Sequence, residues 1–173
     1  MYIAEEAKLV NAITPVDLQT GANDGDWVSM KNFEHISIVI QKGIGTAGDD
    51  PIVTLEQATA VAGTSGKALD FDKVWTNLRL DLTASDAFTR VASASIPRSG
   101  GALNTFLDLT SAELMGFIII ELDASELDVS NGFDCLRVTV SDVGGNAGLG
   151  GAFYLLSNPR YNSGLTNTTA ITN

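Results

Sequence analysis

The chain has 173 residues, of which 45% are hydrophobic and 18% are charged, which is enough apolar material for one domain with a real core. Its 21 acidic residues outnumber the 10 basic ones and give a net charge of −11 at pH 7. The basic residues are scattered singly from Lys8 to Arg160, so the composition argues against nucleic acid and against an anionic membrane surface as partners.

Neither a membrane span nor a signal peptide is predicted. The longest apolar run, Leu114 to Ile120, is far shorter than the roughly 20 residues that cross a bilayer. The first residues, Met1 to Glu6, carry acid where a signal peptide carries base, and no apolar stretch follows them. We therefore expect a protein that is made and kept inside the cell and that does not insert into a membrane.

Residues 1–14 are predicted to form an N-terminal arm or a short helix ahead of the folded body. Ile3, Ala7 and Val10 recur at helical spacing, but the same segment also fits an extended arm. Pro15 ends it in either case.

The first half of the chain contains several patterns with the period of two that is typical of strands. The clearest runs from His35 to Gln41, with three isoleucines on one face. Further strands are predicted over Ile52–Gln57, Lys67–Trp75 and Leu78–Leu82, while residues 58–63 fit either a strand or a helix.

The middle of the chain, residues 84–101, is small and polar, which is typical of a loop or an edge strand. Alternation resumes over Leu103–Leu109, and Thr110–Glu113 fits a capping box for one helical turn.

Three strands are predicted near the C-terminus, over Phe117–Asp123, Phe133–Asp142 and Gly151–Ser157. In the second of them Leu136, Val138 and Val140 share one face. The glycine-rich run over residues 144–151 lacks the lysine and the following helix of a phosphate-binding loop, so it is predicted to be a flexible hairpin connection.

About eight strands at regular spacing, with no strand–helix–strand alternation, predict an all-β fold built as an antiparallel β-sandwich over residues 15–158. A jelly roll is the first choice, and an immunoglobulin-like sandwich or an open barrel is the second.

The C-terminal tail, residues 159–173, carries no charge after Arg160. Such a segment is either disordered or laid along a neighbour as an extended arm. The two ends therefore supply the candidate partner contacts, which are Tyr2, Ile3, Leu9, Val10, Tyr161, Leu165 and Ile171.

No catalytic residue set is evident. His35 is the single histidine, no nucleophile elbow is present, and the single cysteine, Cys135, reads as a small buried thiol that can form no intrachain disulfide. Trp27 and Trp75 sit among apolar neighbours, which favours core packing over a sugar-stacking role. The protein is therefore predicted not to be an enzyme.

No metal or other cofactor is predicted either. No EF-hand spacing is present, and one cysteine with one histidine cannot fill a zinc site. Acid pairs that could in principle contribute to a calcium site, but are read as solvated loops, are Asp24 with Asp26, Asp49 with Asp50, Asp70 with Asp72, and Glu121 with Asp123.

Three segments carry a resemblance to virion proteins of tailed bacteriophages: Ile119–Ala124, Leu127–Val138 and Tyr154–Tyr161. Three earlier segments, Val53–Ala58, Val61–Gly63 and Lys67–Leu69, are similar to the same group. The resemblance implies a capsid decoration or cement protein with a jelly-roll body, assembled in the host bacterial cytoplasm and placed on the capsid surface. Its implied partners are the major capsid protein and further copies of itself, with a trimer favoured.

Two other functions stay open at the level of sequence. One is a carbohydrate-binding β-sandwich that uses Trp27 or Trp75 and the aspartate pairs. The other keeps the protein in the virion as a head-fibre or tail component.

Overall fold

Alternating apolar and polar residues place most of the chain in strands, and a computed structural model describes residues 7–79, 87–109, 114–142 and 145–160. The strands are β1 (Lys8–Asp17), β2 (Asn23–Asp24), β3 (Val28–Ser29), β4 (Phe33–Lys42), β5 (Ile52–Ala58), β6 (Lys67–Ala68), β7 (Val74–Arg79), β8 (Thr89–Val91), β9 (Thr105–Leu107), β10 (Met115–Asp123), β11 (Cys135–Val140) and β12 (Leu149–Pro159). Short 3-10 turns cover Ser93–Ser95, Ala124–Glu126 and Val129–Asn131.

Two antiparallel sheets pack against each other, which confirms the predicted all-β sandwich. The larger sheet has the order β1-β12-β4-β10-β7-β8. The smaller has the order β2-β11-β5-β6, with β3 also paired to β11 and β9 also paired to β5. The chain alternates between the sheets in two stretches. It runs from β1 in the larger sheet to β2 and β3 in the smaller, back to β4, and then to β5 in the smaller sheet. It alternates again over β10, β11 and β12.

The core lies between the sheets, where each contributes its inward rows. Ile36, Ile38 and Ile40 of β4 are almost fully buried, as the period of two requires. From the opposite sheet, Leu136 and Val138 of β11 are likewise buried. Each Å² of apolar surface removed from water stabilises the fold by about 25 cal/mol, so this cluster is the main source of stability.

The strands predicted around His35–Gln41, Ile52–Gln57 and the three C-terminal segments are confirmed, with shifts of a few residues at their ends. Ala58 is the last residue of β5, and residues 59–63 are part of a turn, in which the Thr59 N–H donates to the Thr64 carbonyl oxygen at 3.0 Å. The predicted strand Lys67–Trp75 is confirmed only at its two ends, where Lys67–Ala68 form β6 and Val74–Trp75 begin β7. Leu69 and Phe71 between them are buried without being in a strand.

The polar middle of the chain forms the edge strand β8 and a 3-10 turn, in agreement with the loop or edge strand expected there. Leu80 and Leu82, and the capping box at Thr110–Glu113, lie outside the described residues.

The prediction for residues 1–14 is wrong over its described part. From Lys8 the chain is the edge strand β1 of the larger sheet, with Lys8 opposite Leu156 and Val10 opposite Tyr154. It is therefore neither a helix nor a separate arm, and it continues past Pro15 to Asp17 with two irregularities in register. An edge strand tolerates proline because one side of it needs no ladder hydrogen bond.

The glycine-rich run before β12 is not a hairpin connection, which corrects the sequence prediction. β11 belongs to the smaller sheet and β12 to the larger, so the segment between them crosses from one sheet to the other. Gly150 and Gly151 are themselves part of β12.

Candidate functional site

The larger sheet has an apolar surface on both sides. Along β10 and β12 the residues that alternate with the core positions are also apolar, so they point away from the sandwich. Cross-strand register places them side by side: Ile119 lies opposite Val39 and Trp75, and Phe153 lies opposite Val39. We call this surface the outer face; its apolar members are Leu9, Val39, Trp75, Phe117, Ile119, Phe153 and Leu155.

Much of the outer face is accessible. Leu9 is 58% exposed and Trp75 is 36% exposed. Phe88, which is also exposed, extends the surface beyond β10, because its ring lies 6.4 Å from the ring of Phe117. Val39 at the centre of the face is only 8% exposed, but its apolar neighbours on either side are accessible in part, and an apolar surface of this kind is typical of an interaction site.

Charged groups lie at the margins of the outer face. The row that runs from Trp75 through Ile119 and Val39 to Phe153 contains no charged residue, and Arg90 stands at its edge opposite Trp75. Acids gather at one end of the sheet, beginning with Glu121. The centre of the face is therefore without charge in a chain whose net charge is −11.

A groove of 470 Å³ lies at the opposite end of the outer face. It is lined by β1, β4, β10 and β12, and includes Ile13, Phe117 and Phe153. Gly151 makes the groove possible, because a Cβ atom at this position would lie 3.0 Å from the carbonyl oxygen of Ile13. The missing side chain lets β1 bulge close to β12 and leaves a concave floor.

The acidic end of the outer face holds a network of ion pairs around His35. Its Nε2 lies 2.6 Å from Glu121 Oε2, and its Nδ1 lies 3.2 Å from Asp123 Oδ1. The hydrogen bond from His35 is the main reason that the pKa of Asp123 lies below its usual range. Lys73 Nζ contacts Asp123 at 3.4 Å and Glu126 at 2.7 Å, and its hydrogen bond to Glu126 is the main reason that its pKa is raised.

This network does not form a nucleophilic site. The Ser37 hydroxyl donates to Glu121 Oε2 at 2.8 Å, so its proton is directed at a carboxylate and not at the imidazole of His35. A serine nucleophile needs the histidine as its base, held by a third group. The arrangement fits ion pairing on a partly exposed strand surface, as expected for a lone histidine.

Cys135 is buried, as predicted, and its thiol is held in the protonated form. Desolvation is the main cause that raises the pKa of its thiol to about 12, assisted by the adjacent Asp134, whose Oδ1 accepts from Sγ at 3.2 Å. A thiol in that state supplies almost no thiolate near neutral pH.

Within the described ranges, no group of three or more His, Cys, Asp or Glu side chains is placed to hold a metal ion. Asp70 and Asp72 do not share a strand face, because β6 ends at Ala68. They instead line a 330 Å³ pocket together with Arg98 and Glu126.

The expectation that both tryptophans pack in the core is wrong. Neither belongs to the buried core of the described residues. Trp27 is half-buried beneath the guanidinium of Arg137, whose Cζ lies 4.9 Å from its ring. Trp75 lies on the outer face because the neighbouring Val74 takes the core position of β7.

The predicted partner contacts fall in different places. Leu9 lies exposed on the outer face, whereas Val10 is directed inward and packs against the core, which removes it from the exposed candidates. The other five, Tyr2, Ile3, Tyr161, Leu165 and Ile171, lie outside the described residues.

The outer face itself was missed as a site, although the sequence carries a signal for it. In Phe117–Asp123 and Gly151–Ser157 apolar residues occupy both parities, whereas a strand with one solvated face would alternate with polar residues.

A scan of protein-family models and searches of curated proteins and of solved structures found no match to this chain. None of the described helical segments has the length and apolar character that a transmembrane helix needs.

Proposed function

We propose that this protein is a structural virion component: a decoration, or cement, protein of a tailed-bacteriophage capsid that binds the major capsid protein as a homo-oligomer. The observation that carries the proposal is the outer face, a broad apolar surface whose centre is free of charge on a strongly acidic chain. Two copies with a charge of −11 repel each other, and a contact through the centre of this face keeps the acids at its margin out of the interface.

We assign the outer face to contact with a second copy of this chain. A specific interface buries about 800 Å² on each partner, and a six-stranded sheet offers a surface of that order. Aromatic residues such as Trp75, Phe117 and Phe153 are the kind that is enriched at such contacts. Contact with the capsid lattice then falls to the loops and to the chain ends, where the uncharged segment 161–173 is the leading candidate.

The strand order supports the same proposal. We infer a jelly roll, because β1-β12-β4-β10 in one sheet faces β2-β11-β5-β6 in the other and the chain changes sheet from β1 to β2, from β3 to β4, from β4 to β5, and at each step from β10 to β12. In this interpretation β7 and β8 extend the larger sheet beyond the usual four strands. Jelly rolls occur in viral capsid proteins and in lectins, so this fold agrees with a capsid protein and also with a carbohydrate-binding module.

Self-association is tested by light scattering coupled to size-exclusion chromatography. The wild-type chain should elute as an oligomer, a trimer being favoured, and Ile119→Lys should shift it toward the monomer. Thr54→Lys is the matched control, because Thr54 is a partly exposed residue on the smaller sheet. A monomeric wild-type protein, or equal behaviour of the two variants, contradicts the assignment of the outer face.

Capsid binding is tested by adding the purified protein to phage heads that were assembled without it. Co-sedimentation with the heads supports the decoration role, and a chain truncated after Arg160 should bind less well. Failure of the full-length chain to bind the heads contradicts the proposal. A particle map that placed the protein on the tail or on a fibre would favour those virion roles instead.

A carbohydrate-binding module is the second candidate, and the exposure of Trp75 favours it. Its ring is accessible beside Arg90, whose Cζ lies 5.9 Å away, and an exposed aromatic residue next to polar groups is a common sugar platform. Glycan-array binding that is lost in Trp75→Ala would support this function. Comparison with and without a chelator would show whether calcium takes part.

A further inference from the structure

Lys42 occupies a position that the core pattern reserves for an apolar residue. It follows Ile36, Ile38 and Ile40 on the inward row of β4, and its side chain is only 7% exposed. Its cross-strand neighbours are Gly116 in β10 and Gly150 in β12, neither of which has a side chain to fill the space. The amine is therefore directed between the two sheets.

Asp108 reaches the same place from the opposite sheet. It follows β9 directly, on the same parity as the buried Phe106, and it is 2% exposed. Its backbone N–H donates to the Pro51 carbonyl oxygen at 3.3 Å, which fixes this end of the strand. Lys42 Nζ and Asp108 Oδ2 are 3.3 Å apart.

Burial changes the chemistry of this pair. Desolvation is the largest influence on Lys42 and lowers its pKa, while the charges of Asp108 and Asp50 act in the opposite direction. Taking an ammonium charge out of water costs several kcal/mol, so burial favours the neutral amine of Lys42.

We propose that Lys42 and Asp108 condense to form an isopeptide bond across the sandwich. In the proposed step one proton passes from the Lys42 ammonium group to a carboxyl oxygen of Asp108, and the lone pair of Nζ then attacks Cγ and forms the new C–N bond. The C–O bond to the hydroxyl group then breaks, and the departing hydroxyl takes a proton from the nitrogen and leaves as water. Ammonium plus carboxylate thus become amide plus water, with no oxidation, no reduction and no co-reactant.

The geometry and the surroundings favour this step. Lys42 Nζ lies 3.3 Å from Oδ2 of the carboxyl group whose Cγ it would attack, so the two side chains are held against each other before the reaction. An amine that is not charged is a competent nucleophile, and a buried site disfavours hydrolysis of the product. The bond would join β4 of the larger sheet to the end of β9 in the smaller, in a chain whose single cysteine permits no intrachain disulfide.

Intact mass spectrometry of the purified full-length protein under denaturing conditions tests the proposal. The expected mass is lower than the sequence mass by one water, about 18 Da. Trypsin should fail to cleave after Lys42, and the peptide containing it should be found joined to the peptide containing Asp108. An unmodified mass after prolonged incubation, with cleavage after Lys42, overturns the proposal and leaves an ordinary buried ion pair.

Two controls separate this bond from other losses of water. Cyclisation at Asp24-Gly25 would also release water, but it would persist in Lys42→Arg, whereas the isopeptide bond cannot form there. The matched ion pair is Lys67 with Asp128, which is closer, at 2.5 Å, but lies at the surface. It should give no linked peptide, because both of its groups are accessible to water. A water loss that persists in Lys42→Arg, or a link at Lys67 instead of Lys42, would overturn the assignment.

Discussion

The phenol oxygen of Tyr154 in β12 accepts a hydrogen bond from the backbone N–H of Val138 in β11 at 2.9 Å. The same hydroxyl donates to the carbonyl oxygen of Asp26 at 2.9 Å. One fully buried side chain of the larger sheet thus satisfies one backbone group in β11 and one in the segment between β2 and β3. Tyr154 is therefore a polar tie, made of two hydrogen bonds, between the two sheets.

Replacing Tyr154 by Phe should destabilise the protein by about 1–3 kcal/mol, because the buried Val138 N–H is left without this partner and the Asp26 carbonyl loses its donor. Urea denaturation followed by fluorescence measures the change. Thr20→Val is the control: it removes a hydroxyl that donates to Asp17 at the surface, and it should alter stability by no more than about 0.5 kcal/mol. Equal stabilities of the two variants would contradict the proposed tie.

Tyr154 should also make the protein sensitive to alkali. Burial raises the pKa of its phenol, so the folded state favours the protonated form. The stabilisation is fully present below the unfolded pKa of about 10 and is lost as the pH rises from there toward the folded pKa. The denaturation midpoint should be measured from about pH 8 to about pH 12, on both sides of that unfolded pKa. It should fall more steeply with rising pH for wild type than for Tyr154→Phe. Parallel curves would show that another group governs alkaline unfolding.

Cys135 should resist alkylation in the folded protein. Its pKa of about 12, against an ordinary value of 9.0, cuts the thiolate fraction near pH 8 by roughly a thousand-fold, and burial slows access further. Iodoacetamide labelling followed by mass spectrometry should be negligible for the native chain and complete in denaturant. Rapid labelling without denaturant would show that β11 opens at its Cys135 end.

The strands with one clear buried face could be predicted from sequence because their periodicity is local. The alternation of Ile36, Ile38 and Ile40 predicts which residues of β4 face the core, and that of Leu136 and Val138 does so for β11. The start of the chain could not be predicted in this way, because the spacing of Ile3, Ala7 and Val10 fits more than one local structure. Only pairing with β12, about 150 residues away, selects the strand.

The candidate sites were harder to predict, because they depend on which strands become neighbours. Lys42 and Asp108 come from different sheets and meet through the packing of those sheets, which no local pattern encodes. The outer face likewise forms only when β10, β4 and β12 lie side by side. Trp75 was misassigned because its apolar neighbours in sequence do not reveal which parity of β7 faces the core.

Arg98 should be irreplaceable by lysine. Its guanidinium donates to the carbonyl oxygens of Leu103 at 2.6 Å, Thr105 at 2.5 Å and Phe71 at 2.5 Å. A lysine ammonium cannot reproduce this planar fork, so Arg98→Lys should cost about 2 kcal/mol or more. Hydrogen exchange should show the accompanying loss of protection at the Leu107 N–H, which donates to the Pro97 carbonyl.

The control for Arg98 is Arg90→Lys. Arg90 lies exposed over Trp75, so its replacement should change the stability by no more than about 0.5 kcal/mol. Similar losses in the two variants would mean that the three carbonyl contacts of Arg98 contribute little.

Gly116 should be the least tolerant of the described glycines in the larger sheet. Its φ of 141° is one that residues with a side chain rarely adopt, and an added Cβ atom would collide with the backbone carbonyl oxygen of Asn77. Because Gly116 pairs with both Lys42 and Leu78, relief of that collision must push apart the centre of the sheet. Gly116→Ala should therefore destabilise the protein by about 2 kcal/mol or more, measured by urea denaturation. Gly145→Ala, where the added carbon meets no atom and φ is not in the left-handed region, should change stability by about 0.5 kcal/mol at most. A small effect at Gly116 would show that β7 shifts without cost, and that β10 is held mainly by its pairing with β4.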